Sequence, residues 1–217
     1  AELYRKINTL LTLSVRYWGN NPTRHLQPPI VGSNFNEHQT DQSQRLMLQW
    51  DSWTNAKRRH RLTATTALLN DYLWYNNDTA SIESSNHVRT KFLQLSTQHL
   101  LNNKWQLNTQ SSYRQSTIFT NNYGNTKPPT QQQYGSFVKV QYQPTNKLKA
   151  ELLARLQQTD HRPVLLLPAL AVAYIPLKKD NKQWQFNASA ALNARNPTLN
   201  DLYWYPGGNP YLTHETG

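Results

Sequence analysis

The stretch Leu148-Lys-Ala-Glu-Leu-Leu-Ala-Arg-Leu-Gln157 sets Leu148, Ala150, Leu152, Ala154 and Leu156 on even positions, and Lys149, Glu151, Arg155 and Gln157 on odd ones. A strand points successive side chains to opposite faces, so this period of two reads as a β-strand with one apolar and one polar face. Trp184, Phe186, Ala188, Ala190 and Leu192 repeat the pattern against Gln183, Gln185, Asn187, Ser189 and Asn193. Helical spacing fits neither segment.

Working outward, the same alternation recurs at Leu11, Leu13, Val15 and Tyr17; at Leu46, Leu48 and Trp50; at Leu62, Ala64, Thr66 and Leu68; and at Val138, Val140 and Tyr142. Two weaker segments run from Val88 to His99, with Leu93, Leu95 and Thr97 on one side, and from Trp105 to Tyr113, diluted by Thr109 and Ser111. Val164 to Ile175 is apolar on both parities and contains Pro168, which an interior ladder position normally excludes.

Composition narrows what such strands can build. The 217 residues are 37% hydrophobic, and no stretch approaches the roughly 20 apolar residues of a spanning helix. A helical membrane protein is therefore excluded. A barrel strand needs only about 9 to 11 residues with every second one apolar, so a hydrophilic chain can still span. The chain has no cysteine, which removes disulfide scaffolds, thiolate zinc sites and cysteine nucleophiles. No charged-then-apolar leader precedes the first strand in the residues given. The net charge of +11 invites a nucleic-acid reading, but the dense run is confined to Lys57-Arg58-Arg59-His60-Arg61. Scattered cations on polar strand positions do not make a phosphate-tracking surface, so no nucleic-acid partner is expected.

The connections fall into two classes. Thr54 to His60, Leu101 to Lys104, Pro144 to Lys147 and Pro176 to Lys182 are compact and rich in Asn, Pro, Asp and Lys, as turns require. Gly19 to Ser43, Asn76 to Asn86 and Ile118 to Gln132 are long, polar and aperiodic, and another such piece follows Asn193; the link Asp160 to Pro163 is short. Short turns on one rim and long loops on the other are the asymmetry of outer-membrane barrels, with the first strand running outward. Tyr17, Trp18, Tyr72, Trp74, Tyr75 and Tyr113 lie at strand ends facing long loops, and Trp53, Trp105, Tyr142, Tyr174 and Trp184 at ends facing short turns. Two interfacial girdles account for this, and so does the general preference of strands for aromatic residues.

From Asn193 to Glu215 the chain reads Asn-Ala-Arg-Asn-Pro-Thr-Leu-Asn-Asp-Leu-Tyr-Trp-Tyr-Pro-Gly-Gly-Asn-Pro-Tyr-Leu-Thr-His-Glu. This resembles the TonB-dependent outer-membrane receptors, whose barrels carry Phe-Arg-x-Pro-Thr-x-Asn-Asp-Leu-Tyr-Trp and then Gly-Gly-Asn-Pro-x-Leu-x-x-Glu in a loop between strands. The matching positions are Arg195, Pro197, Thr198, Asn200, Asp201, Leu202, Tyr203 and Trp204, then Gly207, Gly208, Asn209, Pro210, Leu212 and Glu215. Ala194 replaces the phenylalanine, Asn196 stands where a small residue is usual, and Thr213-His214 replaces Lys-Pro. Upstream, Pro163-Val-Leu-Leu-Leu-Pro168 with Leu170 and Tyr174 is similar to the strand before this motif in cobalamin-type receptors.

The fold expected is all-β: an antiparallel transmembrane β-barrel, partial, with about nine meander strands against the roughly 22 of plugged outer-membrane transporters. Residues 1–217 are expected to form one barrel segment of a larger receptor, with no plug domain among them. The resemblance implies a bacterial outer-membrane protein, surrounded by outer-membrane lipid, that binds and imports an iron-siderophore or cobalamin. It further implies a TonB complex reached through a plug and N-terminal segment outside this chain. No cofactor and no enzymatic activity are implied. Two alternatives remain at this level: another barrel, such as a porin or assembly barrel, and a soluble β-sandwich binding module that hides its apolar parity inside.

Tyr203, Trp204, Asn209, Arg155 and Gln157 are the candidate ligand contacts, as loop and polar-parity residues open to a ligand from outside. Loop packing is the competing role for the first three, because Gly207-Gly208-Asn209-Pro210 is turn chemistry. The seven histidines show no i, i+4 pairing for a metal, so no metal site is expected. Asp51 and Asp71 fall on polar parity and can face a lumen, while no serine stands out as a triad nucleophile, so no catalytic residue is assigned.

Overall fold

The computed structural model describes residues 2–26, 37–54, 57–78, 81–124, 127–179 and 182–217. Expectations for residues 27–36 of the Gly19 to Ser43 loop, and for the tips at 55–56, 79–80, 125–126 and 180–181, lie outside them.

In chain order the strands are β1 (Glu2–Lys6), β2 (Leu11–Asn20), β3 (Thr23–His25), β4 (Glu37–Trp53), β5 (His60–Asn77), β6 (Ile82–Leu100), β7 (Trp105–Thr120), β8 (Thr130–Thr145), β9 (Leu148–Thr159), β10 (Leu165–Lys179) and β11 (Lys182–Ala191). They form one eleven-stranded antiparallel sheet in the order β1-β2-β4-β5-β6-β7-β8-β9-β10-β11, with the short β3 paired to β4. Two further strands, β12 (Ala194–Arg195) and β13 (Glu215–Thr216), pair with each other and frame the five-residue helix α1 (Leu199–Tyr203). No helix among the described residues is long and apolar enough to cross a membrane, which says nothing about strands that do so. All nine expected strands are present; β1, whose partner is β2, and the short β3, β12 and β13 are additional. The ends of the sheet are not paired to each other, as befits part of a larger barrel.

The register fixes which residues share a face. One row across the sheet is Val15, Leu48, Thr66, Leu93, Tyr113 and Tyr134; the next is Leu13, Trp50, Ala64, Leu95, Ser111, Ser136, Leu156 and Leu166. This apolar face is the uncovered one: Leu93 is 56% exposed, Leu152 57% and Trp184 62%. Every buried residue among those described in the large sheet, namely Ser14, Thr65, Asn77, Ile118, Gln131, Thr159 and Leu167, sits on the opposite, polar parity. Such a sheet is curled toward its polar side. Leaving each large apolar side chain in water forfeits about 1.5–3 kcal/mol, and a patch of this extent marks a membrane or partner surface. A soluble β-sandwich would pack the apolar parity against a second sheet; among the described residues the large sheet has no such partner, and that alternative is set aside.

Three expectations need correction. Asn76 to Asn86 is not a long loop, because β5 continues to Asn77 and β6 begins at Ile82. Ile118 to Gln132 likewise shrinks to the connection between Thr120 and Thr130, and β4 takes up the end of Gly19 to Ser43 from Glu37. Ladder bonding continues where the apolar alternation stops, helped by hydroxyl pairs such as Thr117–Thr130 at 2.9 Å and Thr90–Ser116 at 2.9 Å. Alternation reports a difference between the environments of the two faces rather than the strand itself, and strand ends with mostly polar side chains on both faces show none.

The girdles are also mixed. Tyr17, Tyr72, Trp74 and Tyr113 share the apolar parity, but Trp18, Tyr75 and Trp53 take the polar one. There Arg45 lies 5.2 Å over Trp18 and Arg61 5.5 Å over Trp53. At the short-turn rim, which Trp53 shares, Trp105 and Tyr142 stack at 4.2 Å on the apolar side.

Pro168 occupies the interior of β10 without breaking it. Its carbonyl accepts from Leu192 N at 3.0 Å, so its missing N–H faces β11, at the point where the last residue pair is Ala169–Ala191. The donor is absent where the ladder ends. The short rim is closed by side-chain acceptors: Asn8 Oδ1 accepts from Leu10 N and Leu11 N, both at 2.8 Å, and Asn102 Oδ1 from Lys104 N at 2.8 Å and Trp105 N at 3.0 Å.

Candidate functional site

The segment after β11 closes on itself before it reaches anything else. Asn193 and Gly217 exchange both backbone hydrogen bonds, at 2.8 and 3.0 Å, and the pairs Ala194–Thr216 and Arg195–Glu215 follow. Inside this neck Thr198 caps α1: its Oγ1 accepts from Asp201 N at 3.2 Å, while Asp201 Oδ2 accepts from Thr198 N and Oγ1, each at 2.8 Å. That reciprocal pairing is a capping box, and the hydrogen bonds from Thr198 hold the Asp201 carboxyl below its ordinary range. Leu202, 3% exposed, is the apolar anchor of the loop.

The loop then reaches back over three strands to the β7–β8 connection. The Tyr123 hydroxyl donates to Asn200 Oδ1, Tyr123 pairs with Trp204 as an isolated bridge, and Tyr205 N donates to Asn122 O at 3.0 Å. Tyr123 is buried, and burial pushes its phenol up, keeping it a donor. Gln131 Nε2 donates to Pro197 O at 3.2 Å, which brings the loop onto the polar face.

Along that face below Gln131 lies an open cleft of about 370 Å³, where Arg114, Arg155, Gln133 and Gln157 line the walls beside Phe92 and Phe137. Register makes them neighbours: Gln133 faces both Arg114 and Thr159, and Phe137 faces Arg155. Gln133 Nε2 donates to Gln131 Oε1 at 2.9 Å, so one amide chain links cleft to loop. Two guanidiniums with aromatic and amide walls suit a planar or polydentate anion, through bidentate contact and ring packing.

The structure thus gathers Arg155 and Gln157 into one cleft, and Tyr203, Trp204 and Asn209 into the loop above it. Tyr203 packs 6.2 Å from Tyr123 between ring centres, and Trp204 is 44% exposed. Asn209 accepts from Tyr211 N at 3.0 Å and donates its own N–H to Asp201 O at 2.9 Å, as turn residues do. Arg114, Gln133 and Phe137 are additional, since they come beside Arg155 only through register.

Asp51 accepts from Arg61 Nη2 at 2.6 Å, Thr63 Oγ1 at 2.6 Å and Gln49 Nε2 at 2.5 Å, and Asp71 pairs with Arg45 at 3.4 Å. Both carboxylates are engaged in lumen-parity networks. Cross-strand histidine pairs, absent from any helical spacing rule, do form: His60 Nδ1 lies 2.9 Å from His99 Nδ1, and the rings of His25 and His38 are 4.3 Å apart. Among the described residues no three metal-binding side chains converge.

The chain matches the family model described as TonB dependent receptor-like, beta-barrel, over residues 4–217. It is also similar in structure to the siderophore receptor PirA from Pseudomonas aeruginosa, with a TM-score of 0.57 and 11% identity over 99% of this chain. The match covers 46% of that receptor, so this chain spans about half its length. No curated protein matches.

Proposed function

The chain belongs to the TonB-dependent receptor-like β-barrel family, and on that premise we propose that it is part of an outer-membrane receptor that binds an anionic iron chelate of the siderophore class and passes it inward unaltered. The observation that carries the ligand class is the cleft in which Arg114 and Arg155 stand beside Phe92 and Phe137. Iron chelates built from catecholate or carboxylate oxygens keep a net negative charge on ferric iron, and the catecholates add planar rings, which is what such walls bind. The siderophore receptor of similar fold supports the same reading.

In this account a ligand meets Trp204 and Tyr203 on the loop, then the two arginines and Gln157 in the lumen. Coupling through a plug to TonB is the part implied by the family. A corrinoid is the second reading, favoured by the Pro163–Pro168 segment with Leu170 and Tyr174.

A strain lacking the full receptor is grown under iron limitation with one ferric siderophore at a time, and separately with cobalamin as the limiting nutrient. Loss of growth on a ferric siderophore, restored by the wild-type receptor, is expected. A defect confined to cobalamin selects the corrinoid reading and overturns the iron chelate.

A further inference from the structure

The aliphatic rows of the outward face end at a boundary that register locates residue by residue, with Tyr72 and Phe119 in the first row above that of Arg89. Going up from the row Val15, Leu48, Thr66, Leu93, the next row is Tyr17, Leu46, Leu68, Lys91, Gln115, and the one above it is Gly19, Gln44, Asn70, Arg89, Thr117. Lys91 and Arg89 therefore stand on the same outward parity as Leu93 and Leu95, where apolar rows give way to amides and hydroxyls. Both are exposed. They border a cleft of about 480 Å³ whose lining includes Tyr17, Leu46 and Leu68 below and Asn70, Gln115 and Thr117 beside the cations. Arg89 is held with its guanidinium 5.1 Å over the Phe119 ring. Among the described residues lining the cleft none is acidic.

A cation on the lipid face of a barrel is costly at mid-membrane and tolerated only near the interface, so this pair marks a headgroup level. The rim concerned is the one that carries the β5–β6 and β7–β8 connections and the docked 193–217 loop. We infer that Arg89 and Lys91 bind the phosphorylated headgroup of a glycolipid in the leaflet at this rim, its acyl chains lying along Tyr17, Leu46, Leu68 and Leu93. Charge complementarity selects the anion, the amides and Thr117 suit sugar hydroxyls, and the apolar rows directly beneath require that anion to carry chains. The inference rests on the barrel lying in a membrane, as in the proposed function, but not on which ligand it imports.

The test uses the full receptor, purified in detergent and mixed with bisphosphorylated lipid A, with dephosphorylated lipid A as the second probe; bound lipid is read by native mass spectrometry. The wild type is expected to retain the phosphorylated lipid and to lose it about tenfold or more in the Arg89→Ser, Lys91→Ser double variant. Dephosphorylated lipid binds the wild type as weakly as the phosphorylated lipid binds the variant. The Lys57→Ser, Arg58→Ser variant, altered in a turn on the opposite rim, keeps wild-type retention. Resistance of the folded barrel to unfolding in sodium dodecyl sulfate shows that each variant is intact. Equal retention by the double variant, or retention indifferent to the phosphates, overturns the inference. Either result leaves the siderophore growth test unaffected, so the two readings fail separately.

Discussion

The Tyr123 hydroxyl donates to Asn200 Oδ1, joining residues 77 positions apart in sequence. Through this contact the loop after β11 is tied to the β7–β8 connection, across β9, β10 and β11. With Tyr123 buried, removing its hydroxyl leaves the Asn200 acceptor short of a partner. Such an unmade bond costs about 1–3 kcal/mol. Tyr123→Phe should therefore loosen segment 199–205 by that amount without unfolding the sheet, read as faster amide exchange there and unchanged exchange in β5 and β6.

Gly208 is a steric requirement of the same loop. A Cβ there would stand 2.6 Å from Trp204 N and 2.8 Å from Trp204 O and Tyr203 N, all backbone atoms that cannot swing away. Overpacking of this kind costs about 1–3 kcal/mol. Gly208→Ala should open the turn and raise protease cleavage between 204 and 212, while Gly207→Ala, with nothing within 4 Å of its Cβ, should leave it intact.

Asp201 makes the loop acid-sensitive. Its carboxyl is held below the ordinary value of 3.8, first by the hydrogen bond from Thr198 N and then by that from Thr198 Oγ1. A depressed carboxyl contributes stability that is complete above its unfolded pKa and is lost as pH falls through the folded one. Amide protection of 199–203 should be flat from pH 8 to about 5 and fall only below the ordinary aspartate range. Asp201→Asn should abolish that acid transition and lower protection at neutral pH.

Arg114 and Arg155 are expected to act as a pair. Charge-assisted hydrogen bonds contribute about 1.5–3 kcal/mol each, so Arg114→Glu or Arg155→Glu should weaken ferric-siderophore binding by about tenfold or more. Gln157→Ala should cost less. Binding measured by quenching of the receptor's tryptophan emission checks this, with surface expression compared in parallel.

How legible all this was from sequence depends on what each residue's pattern encodes. Leu152 and Phe186 announced their strands because every second position met one environment. Asn76–Asn77 and Ile82–Asn86 read as loop because nearly all their side chains are polar whichever face they take, and only backbone pairing, invisible in side-chain pattern, continues the strands. Arg155 and Gln157 stand out by parity alone, whereas Arg114 needs the register that sets it opposite Gln133. Thr198 and Asp201 stood in a motif, but their capping box becomes visible only with the helix. Trp18 and Trp53 fit girdles by position along the strand, which says nothing of face.

The face assignment is the claim on which membrane, lumen and loop all depend, and a chain without native cysteine allows it to be tested directly. Single variants Leu152→Cys, Phe186→Cys, Arg155→Cys and Gln157→Cys of the full receptor in lipid bilayers are spin-labelled and their collision with oxygen and with a water-soluble nickel chelate is measured. Labels at 152 and 186 should be relaxed by oxygen and shielded from nickel, and labels at 155 and 157 should show the reverse. Nickel access at 152 equal to that at 157 would contradict the account.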